Sequence, residues 1–143
     1  MMRAAVLVML TMLAGVPAAG EVSRALVDPY LTIQTALVHD SIDGLTITAD
    51  AIVQAARAVG ETAGAIEQAA AGLAGATDLA DARGRFGTLS DAMESYRKDR
   101  GLVWPDGVRQ AYCPMVRKSW LQKAPRIANP YYGREMPTCG SFR

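Results

Sequence analysis

Across residues 26–96, apolar side chains recur at alternating steps of three and four, the spacing that gathers them on one face of a helix. Four stripes can be read. The first is Leu26, Tyr30, Ile33, Leu37; the second Leu45, Thr48, Ile52, Ala55, Val59; the third Ile66, Ala69, Leu73, Ala76. The fourth, Leu79, Ala82, Phe86, Leu89, Met93, Tyr96, is the clearest. Asp28-Pro29 predicts an N-cap with proline in the first turn, where its missing N–H is harmless. Gly60 and Gly101 close the second and fourth helices, and Thr77 or Asp78 caps the start of the fourth. Arg97, Lys98 and Arg100 fall where positive charge meets the negative end of that helix's dipole. Four helices joined by short links predict a mainly α fold, an antiparallel four-helix bundle over residues 21–100. Small residues on several faces (Ala55, Gly64, Ala69, Gly72, Gly84, Gly87) allow close backbone approach, at up to about 1 kcal/mol of helix propensity per glycine.

After Gly101 the pattern breaks. Pro105, Pro114, Pro125, Pro130 and Pro137 exclude a long helix. Residues 108–116 and 120–122 predict short strands, with ordered loop around the turn-forming run Asn129-Pro130-Tyr131-Tyr132-Gly133. Residues 101–143 are therefore expected to form an irregular, short-strand segment of the same domain, with Trp104, Trp120, Tyr131 and Tyr132 pinning it to the bundle.

Ahead of the helices, Met1-Met2-Arg3, an apolar stretch over 4–13 and small residues through Gly20 follow the three-part layout of an export signal. The stretch falls short of the roughly 20 apolar residues of a membrane span. Cleavage is expected near Ala18 or Gly20, leaving a periplasmic protein with no membrane span. Without residues 1–20 the chain holds 14 basic and 14 acidic residues, and this neutral balance argues against nucleic acid as partner. The charge is split: residues 21–100 carry 7 basic and 12 acidic side chains (−5), residues 101–143 carry 7 and 2 (+5). The second half is expected either to dock on the first or to meet a different partner.

The bundle stripes hold no paired carboxylates and no metal-spaced histidines, which marks the helices as scaffold. His39, the single histidine, lies beside Asp40 at the end of the first helix and reads as a solvated helix-end residue. One histidine supplies no Ser-His-Asp or Cys-His set, and the two cysteines are too far apart for a Cys-x-x-Cys redox pair, so an enzyme is not expected. The chemistry lies in Cys113-Pro114-Met115 and Met136-Pro137-Thr138-Cys139, each with one thiol and one thioether. Brought together, four sulfurs favour a soft ion, Cu(I) first and Ag(I) by analogy, over hard cations; zinc prefers more thiolate or imidazole. The competing reading is a structural disulfide between Cys113 and Cys139, the default for two cysteines in an exported chain. It would stabilise the fold by roughly 3–4 kcal/mol on the chain-entropy model. The methionines, for their part, are common flexible core fillers.

Cys113-Pro114-Met115, Trp120-Leu121-Gln122, Ile127, Asn129-Pro130-Tyr131-Tyr132-Gly133, Met136 and Cys139-Gly140 together resemble the signature of a periplasmic domain family of unassigned function. That family occurs as stand-alone exported proteins and fused to adaptor subunits of copper and silver efflux systems. The likeness is specific over residues 111–140. It is softer over the helices, at Tyr30-Leu31, Gln34, Ala36-Leu37, Ala82-Arg83, Phe86 and Leu89-Ser90. It implies heavy-metal handling, with Cys113, Met115, Met136 and Cys139 at the sulfur positions and an efflux or envelope metal-handling protein as partner. Arg117-Lys118-Ser119 depart from the smaller residues expected there and place two positive charges beside the site. The two functional expectations are a soft-metal binding protein for resistance, efflux or delivery, and a disulfide-stapled interaction module of the envelope.

Overall fold

The computed structural model describes residues 19–143, and the export signal expected over residues 1–20 lies almost wholly outside them. Four helices, α1 (Arg24–Val38), α2 (Leu45–Val59), α3 (Gly64–Ala74) and α4 (Leu79–Asp99), precede three strands, β1 (Arg109–Cys113), β2 (Lys118–Gln122) and β3 (Ser141–Phe142). A single 3-10 turn, Glu61–Ala63, leads into α3. The strands form one antiparallel sheet in the order β2-β1-β3. The fold is thus mainly α with a small sheet. No helix among the described residues is long and apolar enough to cross a membrane.

The helices follow the apolar pattern, with three corrections, the smallest in α3, where Ala70 rather than Ala69 is buried with Ile66 and Leu73 and Ala76 falls beyond the helix end. α1 begins at Arg24, capped by Ser23, whose hydroxyl accepts from the Ala25 N–H at 3.3 Å, so Pro29 lies inside the helix rather than in its first turn. The α2 stripe is rotated from the one expected: Leu45, Ala49, Ile52, Val53 and Ala56 are buried, while Val59 is exposed. With Ala49, Ala51, Ala55 and Ala56 on several faces, this helix offers little contrast in side-chain volume to set its rotation. α4 buries Ala82, Phe86, Leu89 and Met93 as its stripe predicts, is capped by Asp78, whose carboxylate accepts from Asp81 N–H, and ends before Gly101 at φ +62°.

Helices pack in chain order, α1 on α2, α2 on α3 and α3 on α4, and β2 packs against both α4 and α1. This strand is core rather than cover: Ser119 to Gln122 are all buried, Trp120 almost completely. Each large apolar side chain so buried contributes about 1.5–3 kcal/mol. Tyr30 of α1 stacks on Phe86 of α4 at 4.7 Å, and its hydroxyl accepts from Leu121 N–H at 3.2 Å, so one side chain joins both helices to the strand. Burial pushes the Tyr30 phenol above its ordinary range, which keeps it a neutral hydrogen-bonding group.

Charge complements this packing. Lys118 of β2 pairs with Asp91 of α4, and Arg134 reaches Asp40 at 3.9 Å. The basic second half therefore docks on the acidic first half, one of the two outcomes the charge split allowed. Residues 20–22 also meet the C-terminal segment: Val103 N–H donates to Gly20 O and Val22 N–H to Val103 O, both at 2.9 Å.

Candidate metal centre

Cys113 is the last residue of β1, and the chain turns back through Pro114–Arg117 into β2, with Cys113 opposite Lys118. Proline's fixed φ suits the corner of such a turn, and Arg117 takes φ +55° to complete it. On the other edge of β1, Tyr112 pairs with Ser141 and Ala111 with Phe142. That register carries Cys139, two residues before β3, to the turn end of β1. The two sulfurs lie 3.8 Å apart, both as free thiols.

Gly140 makes the approach possible. At φ +131° it holds a backbone conformation closed to L side chains, and a Cβ there would stand 2.7 Å from the Trp120 ring and 2.8 Å from Tyr112 O. The Cys139 segment therefore lies flat across Trp120 because residue 140 has no side chain.

Asn129 joins the two sulfur-bearing pieces, a role its place in a turn-forming run did not reveal. It is fully buried. Its Nδ2 donates to Cys139 O at 2.7 Å, its Oδ1 accepts from Tyr131 N–H at 2.8 Å and Tyr132 N–H at 3.3 Å, and its own N–H donates to Pro137 O at 2.9 Å. Gln122 is a second hub: its Oε1 accepts from Trp120 Nε1 at 2.8 Å and Ala128 N–H at 3.0 Å, while its Nε2 donates to Ala124 O and Arg126 O.

Arg83 of α4 ties this loop to the helices. Its Nε donates to Pro130 O at 2.8 Å and its Nη2 to Leu37 O at 2.9 Å and Asp40 Oδ1 at 2.6 Å. Gly133, at φ +53°, passes so close that a Cβ would fall 2.0 Å from Asp40 Oδ1. The Arg83 guanidinium beside Asp40 holds that carboxyl below its ordinary range; partial burial opposes the shift, and the Arg134 N–H adds to it. Because the folded-state pKa is depressed, the contact stabilises the fold above the unfolded value of about 3.9 and that contribution is lost as pH falls through the folded one. Asp40→Asn is expected to be less stable than the native chain at neutral pH, with the gap in urea unfolding narrowing as the solution is acidified below pH of about 4.

The thiols are unlike. Burial opposes ionisation of Cys113, but the N–H groups of Val116 and Met115, the Asn129 amide and the Cys139 thiol donate to its sulfur and bring its pKa below the ordinary thiol value. Cys139 is shifted up, by desolvation and by donating to Cys113 and facing its charge. Of the pair, Cys113 is the more readily ionised.

Of the four expected sulfur ligands, the structure brings Cys113 and Cys139 together. Met115 stands on the hairpin turn, 63% exposed, and Met136 is half-buried in the turn that ends at Cys139, whose N–H donates to Met136 O at 3.3 Å. Neither methionine belongs to the hydrophobic core. Of the two extra basic residues, Lys118 has its ammonium paired with Asp91 and its stem lying over Gly87, and Arg117 is exposed. His39 is exposed at the end of α1, its Nδ1 2.8 Å from Thr35 O, as a helix-end residue. Among the described residues no three His, Cys, Asp or Glu side chains cluster as a metal site, so an ion held here by more than the two thiols needs ligands of another kind. No family model, curated protein or solved structure matches this chain.

Proposed function

We propose that the protein binds one soft monovalent ion, Cu(I) or Ag(I), through Cys113 and Cys139, with the Met115 and Met136 thioethers completing the site. The observation that carries this reading is the 3.8 Å separation of the two sulfurs. Two thiolates bonded to one ion at about 2.3 Å and spread at the tetrahedral angle lie about 3.8 Å apart, whereas a disulfide holds its sulfurs at about 2.05 Å. The donor set points the same way. Two thiols with, among the described residues, no histidine or carboxylate clustered with them suit zinc poorly, while thiolate and thioether together suit a soft ion. An exposed methionine outside the core supports a role in ligation better than one in packing.

On this reading the helices serve as an antiparallel bundle scaffold, and the hairpin, the Asn129 hub and the Gly140 crossing hold the sulfurs ready. The likeness of residues 111–140 to the domain family associated with copper and silver efflux adaptors supports a role in metal resistance, efflux or delivery in the periplasm. It also supports an envelope metal-handling protein as partner.

Anaerobic Cu(I) titration of the reduced protein against a competing chelator tests the reading. A stoichiometric ion is expected, lost in the Cys113→Ser, Cys139→Ser double variant; equal binding by both proteins would remove the proposal. A quantitative Cys113–Cys139 disulfide, in protein taken from the periplasm, that survives metal supply would favour a structural staple instead. Met115→Leu and Met136→Leu are each expected to weaken Cu(I) by at least about tenfold, since outer-shell changes alone cost that much at metal sites. Thermal unfolding of the metal-free Met115→Leu protein should match that of the native chain, because the side chain is exposed.

A further inference from the structure

At the opposite end of β1 from Cys113, a pocket of about 480 Å³ is lined by Glu94, Arg97, Trp104, Arg109, Gln110 and Arg143. We propose that it is a second binding site, independent of the sulfurs, for a compact polyvalent oxyanion of the polycarboxylate or phosphate kind. The guanidiniums of Arg97 and Arg143 lie on the Gln110 face of the sheet and share the concavity, with Arg109 at its rim, and among the described residues none of the three forms an ion pair. The carboxylate in the lining, Glu94, is already held by Lys98 at 2.6 Å. Like charges gathered this way repel, and a bound anion relieves the repulsion.

The guanidiniums are oriented rather than loose. Arg97 lies over the Trp104 ring at 5.4 Å, Arg109 over Phe142 at 3.4 Å and Arg143 over Tyr112 at 3.7 Å. Guanidiniums held on aromatic faces keep in-plane N–H donors for a forked contact with carboxylate or phosphate oxygens. Arg97 is under-used by the fold itself: its Nη1 donates to Leu102 O at 3.2 Å, while its Nε is buried with no partner. A buried unpaired donor is rare enough to point to a missing acceptor or to a side chain that shifts when one arrives. The pocket's size falls in the range of about 300–1,000 Å³ usual for small-molecule sites. Arg109 and Cys113 are the two ends of a five-residue strand, about 13 Å apart at the usual rise, so an anion here does not touch the sulfur pair.

Calorimetric titration of the reduced, metal-free chain at low ionic strength, with citrate in one arm and inorganic phosphate in the other, tests the proposal. Saturable one-to-one binding with Kd below about 1 mM is expected for at least one anion, and the tighter arm tells carboxylate from phosphate chemistry. Arg97→Gln and Arg143→Gln are each expected to weaken it by about tenfold or more, whereas Lys123→Gln, outside the pocket, leaves it unchanged. Failure of both anions to saturate would overturn the proposal. So would saturable binding that both arginine variants retain in full, since the anion would then sit elsewhere.

Discussion

Gly140→Ala is expected to destabilise the fold by about 3 kcal/mol or more and, in the same step, to separate the two cysteines. Two effects add at this residue. Its φ of +131° is strained for any L side chain, a penalty of about 1–3 kcal/mol. The new methyl group would also press on the Trp120 ring at 2.7 Å and on Tyr112 O at 2.8 Å, and one of these is backbone that cannot rotate away. The least costly relief is for residues 139–142 to lift off β1, which breaks the two-residue pairing of β3 and takes Cys139 with it. Chemical denaturation should show the loss of stability, and Cu(I) affinity should fall with it. Gly72→Ala is the matching control: this helical glycine has open space around its Cβ direction, and the change is expected to stabilise by about 0.5–1 kcal/mol. If both variants were equally stable, the crossing over Trp120 would not be as tight as described.

The second large effect is expected at Asn129. Replacing it with leucine, close in volume, leaves the Tyr131 and Tyr132 N–H groups and Cys139 O without their partner in a buried place. Each such orphan costs about 1–3 kcal/mol, so a loss of at least about 3 kcal/mol is expected. Asn129→Asp separates architecture from chemistry. Its carboxylate keeps both acceptor contacts but loses the donation to Cys139 O and the amide's effect on the Cys113 thiol, and sets a negative charge near that thiol. It should therefore retain more stability than Asn129→Leu while raising the Cys113 pKa, read by the pH dependence of thiolate absorbance in the ultraviolet. Should Asn129→Asp leave the thiol titration unmoved, the amide would not be the donor assigned to it.

The helices were legible because their apolar residues are large and regularly spaced, α4 above all. α2 was read one step out because alanines dominate it and burial of a small side chain discriminates weakly between faces. The start of α1 was misplaced for a different reason: Asp28-Pro29 is a strong local signal, yet Ser23 caps the helix a turn and a half earlier and tertiary packing of Leu26 and Val27 sustains it. Two short strands were expected over residues 108–116 and 120–122, but the first was drawn through the turn at 114–117 that makes them a hairpin. β3 was not, since two residues carry no periodicity and their pairing depends on a glycine that only long-range contact makes necessary. Cys113 and Cys139 were nameable as a pair, but their meeting rests on Asn129, Gly140 and the β1–β3 register. These are non-local arrangements, and a single sequence shows only their ingredients. The offset between acidic and basic halves did carry long-range information, realised in the contacts of Lys118 and Arg134 with the helical half.

The most direct test of the account is X-ray absorption at the copper edge on protein reduced and loaded with one Cu(I). The spectrum expected is a first shell of sulfur alone, three to four atoms with bonds of about 2.3 Å, losing thioether scatterers in Met115→Leu and Met136→Leu. A shell dominated by nitrogen or oxygen, or one that persists when Cys113 and Cys139 are both serine, would contradict it.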